Sequence, residues 1–146
     1  MRDLHSGMSV VEAIAVAEYD DDNTPAAIDL QGYDAAEIVL AIGAGGITFT
    51  STNKIEFKLT HSDDDTSYEA VTEKDVLGLS SVGEGGIIKA LTAAHAAAAV
   101  YRYGYVGGRR YLKLLADFSG THGTGTPLAA IVIKSHGMVQ PEADQA

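Results

Sequence analysis

The acidic side chains are the first candidates for chemistry in this sequence, because carboxylate oxygens are preferred ligands of Ca²⁺. Four oxygen-bearing residues stand at alternate positions, as at the start of an EF-hand loop: Asp63, Asp65, Ser67 and Glu69. An EF-hand also needs glycine at its sixth position and glutamate at its twelfth, where this chain has Tyr68 and Lys74. We therefore predict a solvated acidic turn without a metal ion. A second acidic run, residues 20–22, would add ligands only if the fold joined the two loops.

The histidine, serine and glycine patterns do not predict an enzyme. The histidines have no metal-ligand spacing, and no serine lies in a Gly-x-Ser-x-Gly motif. The glycine loop at residues 120–125 lacks the lysine and hydroxyl residue of a P-loop. The loop at residues 43–46 is followed by β-forming residues, whereas a dinucleotide site needs a helix there. We predict no catalytic residue and no cofactor, and we interpret both loops as hairpin connections.

Basic residues concentrate in one segment that is also rich in tyrosine. Its members are Arg102, Tyr103, Tyr105, Arg109, Arg110, Tyr111 and Lys113. Basic residues interleaved with aromatic ones occur in nucleic-acid-binding proteins, but a formal net charge of −10 argues against binding to phosphate chains. Tyrosine and arginine are also favoured at protein–protein contacts. We expect these bases to meet the protein's own acidic residues or a neighbouring subunit.

The charges are unevenly divided along the chain. Residues 1–75 hold 16 of the 20 acidic residues but only 4 of the 10 basic ones. If the two halves formed opposite faces, copies of the molecule would attract one another side by side.

Strands are the elements that must position these side chains. Ile55, Phe57 and Leu59 alternate with polar residues, which is the pattern of a half-buried strand. Residues 37–42 form a short apolar run between glycines, and residues 110–118 alternate again after Gly107-Gly108, a pair that favours a two-residue hairpin turn. For residues 90–99, strand or irregular structure is preferred over a short helix. The predicted fold class is all-β, an antiparallel sandwich or barrel with glycine-rich turns.

The domain organisation follows from length and composition. A chain of 146 residues without cysteine forms one core that needs no disulfides. We predict an extended N-terminal arm or first strand with an acidic loop over residues 1–24, a β domain over residues 25–139 and a flexible tail over residues 140–146. The start of the chain has no signal-peptide pattern, and no apolar run is long enough to cross a bilayer.

Three segments in this order resemble a family of tailed-bacteriophage structural proteins. Residues 29–33 contain Leu-Gln-Gly-Tyr, residues 58–68 contain an acidic Ser-Asp-Asp-Asp hairpin followed by an aromatic residue, and residues 103–113 contain Gly-Tyr-Val-Gly-Gly-Arg-Arg-Tyr. The family is that of capsid decoration proteins, also called cement or minor capsid proteins. The resemblance spans about residues 28–136. It implies a β-rich protein without enzymatic activity, commonly a homotrimer on the outer surface of the virion head.

The expected partners are therefore the major capsid protein and further copies of this chain, with no nucleic acid and no membrane. The residues expected to make these contacts come from the arm and from the late tyrosine-rich segment: Val10, Val11, Ile14, Val16, Tyr103, Tyr105, Arg109, Arg110 and Tyr111. Two other functions fit the sequence. One is a ring-forming tail-tube or head–tail joining subunit. The other is a carbohydrate-binding β-sandwich for host attachment, with the tyrosines as sugar platforms.

Overall fold

The computed structural model describes residues 3–145 and consists mainly of strands. A 3-10 turn, His5–Gly7, precedes them. The strands are β1 Met8–Tyr19, β2 Ile28–Asp29, β3 Tyr33–Ile42, β4 Lys54–Ser62, β5 Glu69–Ala70, β6 Val76–Leu77, β7 Ile87–Leu91, β8 Ala99–Tyr105, β9 Tyr111–Ser119 and β10 Thr126–Gly137. Residues 92–98 are irregular, as preferred from the sequence. Within residues 3–145, no helix is long and apolar enough to cross a membrane.

The strands form two antiparallel sheets. Sheet A has the order β1-β10-β3-β8-β6, and sheet B has the order β2-β9-β4-β5, with β7 also paired to β4. The all-β prediction is confirmed, and of its two alternatives the structure is a sandwich rather than a closed barrel. The core lies between the sheets and includes Ile38 and Leu40 of β3, Phe57 of β4 and Leu114 of β9, each at most 1% exposed.

The chain crosses repeatedly between the two sheets, and this corrects the hairpin predictions. Gly107-Gly108 joins β8 in sheet A to β9 in sheet B, so these strands do not pair with each other. The glycine loops at residues 43–46 and 120–125 also lie in connections between sheets. Glycine is still required at positions 107 and 108. Gly108 has a φ of +71°, and a Cβ on Gly107 would lie 2.7 Å from the Tyr105 ring.

The acidic run after β1 covers an open edge of sheet B. β2 pairs with only the first two residues of β9. Further along β9, the side-chain amide of Asn23 donates to Leu114 O at 3.2 Å and accepts from Ala116 N at 2.7 Å. Asp22 Oδ1 accepts from Phe118 N at 2.6 Å. These side chains replace a strand partner and block edge-to-edge association.

The termini are more closely attached than the sequence suggested. The predicted arm is an edge strand, because β1 pairs with β10 from Met8 to Tyr19 with two bulges. The predicted flexible tail is hydrogen-bonded to the start of the chain. Gln145 uses its side chain to accept from Val10 N and to donate to Val10 O, and Glu142 N donates to Ser6 O at 2.9 Å.

Leu114→Ala is expected to lower the free energy of unfolding by about 2–5 kcal/mol, because it leaves a cavity between the sheets. Leu115→Ala provides the matched control, since Leu115 is only half-buried on the outer face of the same strand, and we expect it to cost about 1 kcal/mol or less. Urea unfolding of both variants gives the comparison. Equal losses would contradict the assignment of faces on β9.

Candidate contact surfaces

The acidic loop between β4 and β5 is held by its own backbone. Asp64 accepts hydrogen bonds from Ser67 N at 2.8 Å, from Thr66 N at 2.9 Å and from the Ser62 hydroxyl at 2.8 Å. These donors, the backbone ones first, lower the pKa of Asp64 to about 2. The predicted hairpin turn is confirmed. Residues 3–145 contain no group of three or more histidine, aspartate or glutamate side chains that could hold a metal ion.

The late basic residues pair with acids from the first half of the chain. Arg109 donates to Glu69 at 2.6 Å, and Arg110 makes a bidentate contact with Asp29 at 2.9 and 2.7 Å. Hydrogen bonding by Arg110 lowers the pKa of Asp29. The prediction that these basic residues pair with the protein's own acidic residues is therefore confirmed. The charge imbalance along the sequence does not become two opposite faces, because sheet A places β10 and β8, from the second half of the chain, beside β1 and β3, from the first half.

Two of the tyrosines expected at a contact surface belong to the core. Tyr103 and Tyr105 are each 5% exposed. Burial raises the pKa of Tyr103 to about 12, while the Tyr105 hydroxyl lies 2.9 Å from His61 Nδ1 and accepts from Arg109 N at 3.1 Å. Their assignment to a contact surface is corrected, because the tyrosine face of β8 points inward. A sugar platform needs an exposed ring face, so neither residue supports carbohydrate binding.

Three segments that lie far apart in the sequence meet at one cleft. Residues 30–36, Asp63 and residues from Tyr105 to Arg110 line a single cleft of about 530 Å³. Arg109 and Arg110 are therefore at the surface, with their charges already engaged by Glu69 and Asp29. Tyr111 follows them and packs its ring against the Arg110 guanidinium at 4.8 Å.

The outer face of sheet A is apolar over three neighbouring strands. Val39 of β3 lies opposite Ile131 of β10, and Ile133 of β10 lies opposite Val10 of β1. All four side chains point away from the core and are half-buried by their neighbours within the sheet. We call these four residues the apolar face. The charged side chains around it are Glu12, Glu37 and Arg102, of which the last two form an ion pair at 3.2 Å.

The outer face of sheet B has the opposite character. Lys58 pairs with Asp117 across β4 and β9, and Lys54 pairs with Glu56 along β4. An antiparallel sheet that faces water usually alternates apolar and polar side chains in this way. The two outer faces therefore differ in character, with four aliphatic side chains together on sheet A.

The arm residues chosen from the sequence are divided between core and surface. Ile14 is 2% exposed and belongs to the core, and Val11 is partly buried against the core. Val10 lies on the apolar face, whereas Val16 is 85% exposed beyond it. Sequence reasoning missed Val39, Ile131 and Ile133. Their signal was the unbroken apolar character of residues 38–42 and 128–133, which is typical of strands covered on both faces.

No protein-family model, no curated protein and no solved structure matches this chain.

Asp64→Asn is expected to lower stability at pH 7, because it removes the charge that the loop's donors stabilise while keeping an acceptor oxygen. The folded-state pKa, about 2, lies below the ordinary 3.8. The stability from ionised Asp64 is thus present above about pH 4 and is lost as the pH falls through 2. The difference between variant and wild type in the midpoint temperature of thermal unfolding should therefore shrink as the pH falls from about 4 to about 2. Glu73→Gln, at an exposed carboxylate, is the control. A pH-independent difference would contradict this role.

Proposed function

We propose that this chain is a capsid decoration protein that binds the outer surface of a tailed-phage head and stabilises contacts between major capsid proteins. The observation that carries the proposal is the cluster of four aliphatic side chains on the outer face of sheet A, whereas the outer face of sheet B carries the ion pairs Lys58–Asp117 and Lys54–Glu56. A sandwich with one adhesive face attaches to a surface and leaves its other face in water.

The size of the apolar surface indicates how strongly one copy would bind. Strand spacing and rise give roughly 150 Å² for three strands over residues 131–133. At about 25 cal/mol per Å², covering this area contributes about 4 kcal/mol. Association costs about 4–15 kcal/mol in lost freedom. One copy would bind weakly, so firm attachment requires several linked copies on a repetitive surface, where effective concentration raises the avidity. A capsid offers such a surface.

The electrostatic character of the molecule agrees with an outer position. Its formal net charge of −10 disfavours contact with packed DNA. The carboxylates Glu12 and Glu37 stand beside the apolar face with one guanidinium, Arg102. A complementary shell surface would therefore be apolar at its centre and slightly basic at its rim.

Ile131→Asp is expected to reduce binding to capsids that lack this protein by at least about tenfold, since it places an unpaired carboxylate within the contact. Leu115→Asp makes the same kind of change at a half-buried position on the outer face of sheet B and should bind like wild type. Cosedimentation with capsids measures both, with thermal unfolding as a check on folding. Wild-type binding by a folded Ile131→Asp variant would contradict the proposed face.

The position in the virion separates this proposal from its alternative. Electron micrographs of particles labelled on this protein should show label spread over the head. Label at one vertex or along the tail would contradict a decoration role and would favour a tail-tube or head–tail joining subunit.

A further inference from the structure

A buried histidine joins the two sheets beside the cleft. His61 belongs to β4 of sheet B and is 5% exposed. Its Nδ1 atom lies 2.9 Å from the hydroxyl oxygen of Tyr105, the last residue of β8 in sheet A, which is also buried. The two rings meet edge to face, with 5.9 Å between their centroids. A side chain of the type that changes its charge near neutral pH is thus enclosed between the sheets.

The hydrogen bonds of Tyr105 fix the protonation state of this histidine. The Tyr105 oxygen accepts from Arg109 N at 3.1 Å. Across the described residues, Arg109 N and His61 Nδ1 are the only hydrogen-bond partners of the hydroxyl. A phenol has one proton to donate, and Nδ1 is the acceptor within reach. His61 is therefore neutral, with its own proton on Nε2 and a lone pair on Nδ1.

The same hydroxyl holds a short crossover between the sheets. Residues 106–110 connect β8 to β9, and the bond from Arg109 N attaches the middle of this segment to Tyr105. Gly108 and Arg109 line the cleft, as does Tyr105 itself. The pair of His61 and Tyr105 therefore supports one wall of the cleft.

Both ends of the crossover have anchors that do not involve this pair. Val106 N donates to Asp75 O at 2.8 Å, and Arg110 O accepts from Leu30 N at 2.8 Å. Loss of the bond at the Tyr105 hydroxyl would consequently free the middle of the crossover and leave its ends attached. A local opening of this kind does not require the sandwich to unfold.

The charges around His61 come from four segments of the chain. Asp63 follows β4, Glu69 lies opposite His61 on β5, Asp75 precedes β6, and Arg109 belongs to the crossover. The three carboxylates favour a protonated imidazole, and the guanidinium opposes it. Burial, and after it the charge of Arg109, lower the pKa of His61 below its ordinary 6.5. The closed crossover thus favours the neutral imidazole.

We propose that protonation of His61 releases the crossover and opens the cleft, so that this cluster acts as an acid-sensitive switch. A proton on Nδ1 turns that atom from an acceptor into a donor. The Tyr105 oxygen would then face two N–H donors, and its own proton would lose its acceptor inside the protein. Leaving a buried donor unpaired is costly, and the crossover opens instead. The switch does not depend on the proposed capsid role, because all of its parts lie within one chain.

The response has a defined direction with pH. Because the folded-state pKa of His61 lies below 6.5, the open form binds a proton more tightly than the closed form does. The closed crossover is therefore fully stable above about pH 6.5, and this stability is lost as the pH falls through the folded-state pKa. For a single proton, the equilibrium between the two forms changes by at most about tenfold per pH unit.

Amide hydrogen exchange, read by NMR from about pH 7.5 to about pH 5, tests the switch. The protection factor of Arg109 N should fall by up to about tenfold per pH unit below about pH 6.5, while those of Val106 N and Leu30 N stay constant. His61→Gln keeps an acceptor but cannot titrate, so it should abolish the pH response. His5→Gln removes an exposed imidazole and is the matched control, which should respond like wild type.

Tyr105→Phe provides a second measurement. It keeps the ring but removes the hydroxyl, so Arg109 N should be weakly protected at every pH and the response should disappear.

Four results would overturn the proposal. They are an NMR-measured pKa of His61 at or above 6.5 in wild type, protection of Arg109 N that does not change with pH, a full response in His61→Gln, and loss of protection at Val106 N and Leu30 N together with Arg109 N. The last would mean that acid unfolds this end of the sandwich as a whole. Three of these readouts use the wild-type chain, and they decide the matter even if His61→Gln does not fold.

Discussion

The packing of two sheets against a shared layer of core side chains is the constraint on which the rest of this molecule depends. Each strand presents every second side chain to the space between sheets that lie about 10 Å apart. The chain crosses between the sheets after β3, β8 and β9. Neighbouring stretches of sequence therefore contribute side chains to the core from both sheets. On β8, the side chains that face the core include Tyr103 and Tyr105. The surface is made of the side chains that remain.

Three acidic residues stabilise the fold of this protein through their hydrogen bonds. Asp22 covers the edge of β9, Asp64 organises the β4–β5 loop, and Asp29 holds Arg110. An exposed ion pair such as Asp29–Arg110 contributes only about 0–1 kcal/mol. The three acidic residues matter for where they act, since they cover a strand edge, fix a loop and link distant parts of the chain.

The contrast between the outer faces connects the fold to the proposed function. Sheet B carries ion pairs such as Lys58–Asp117 on its outer face, whereas sheet A leaves Val39, Ile131 and Ile133 half-buried there. Adhesion through one face suits a protein that lies on a shell.

Alternation along the sequence determined which face of β4 and of β9 is buried, because side chains in a strand necessarily point to opposite sides. Residues 55–59 and 112–116 were placed correctly for that reason, and the acidic turn after His61 was recognised from its aspartates. Only the tertiary structure decided which strands pair. The same alternation satisfies a hairpin and a crossing between sheets, so Gly107-Gly108 was misread and the three strands of the apolar face, far apart in sequence, could not be brought together. Pairing depends on hydrogen bonds between distant segments, and local side-chain patterns do not encode them.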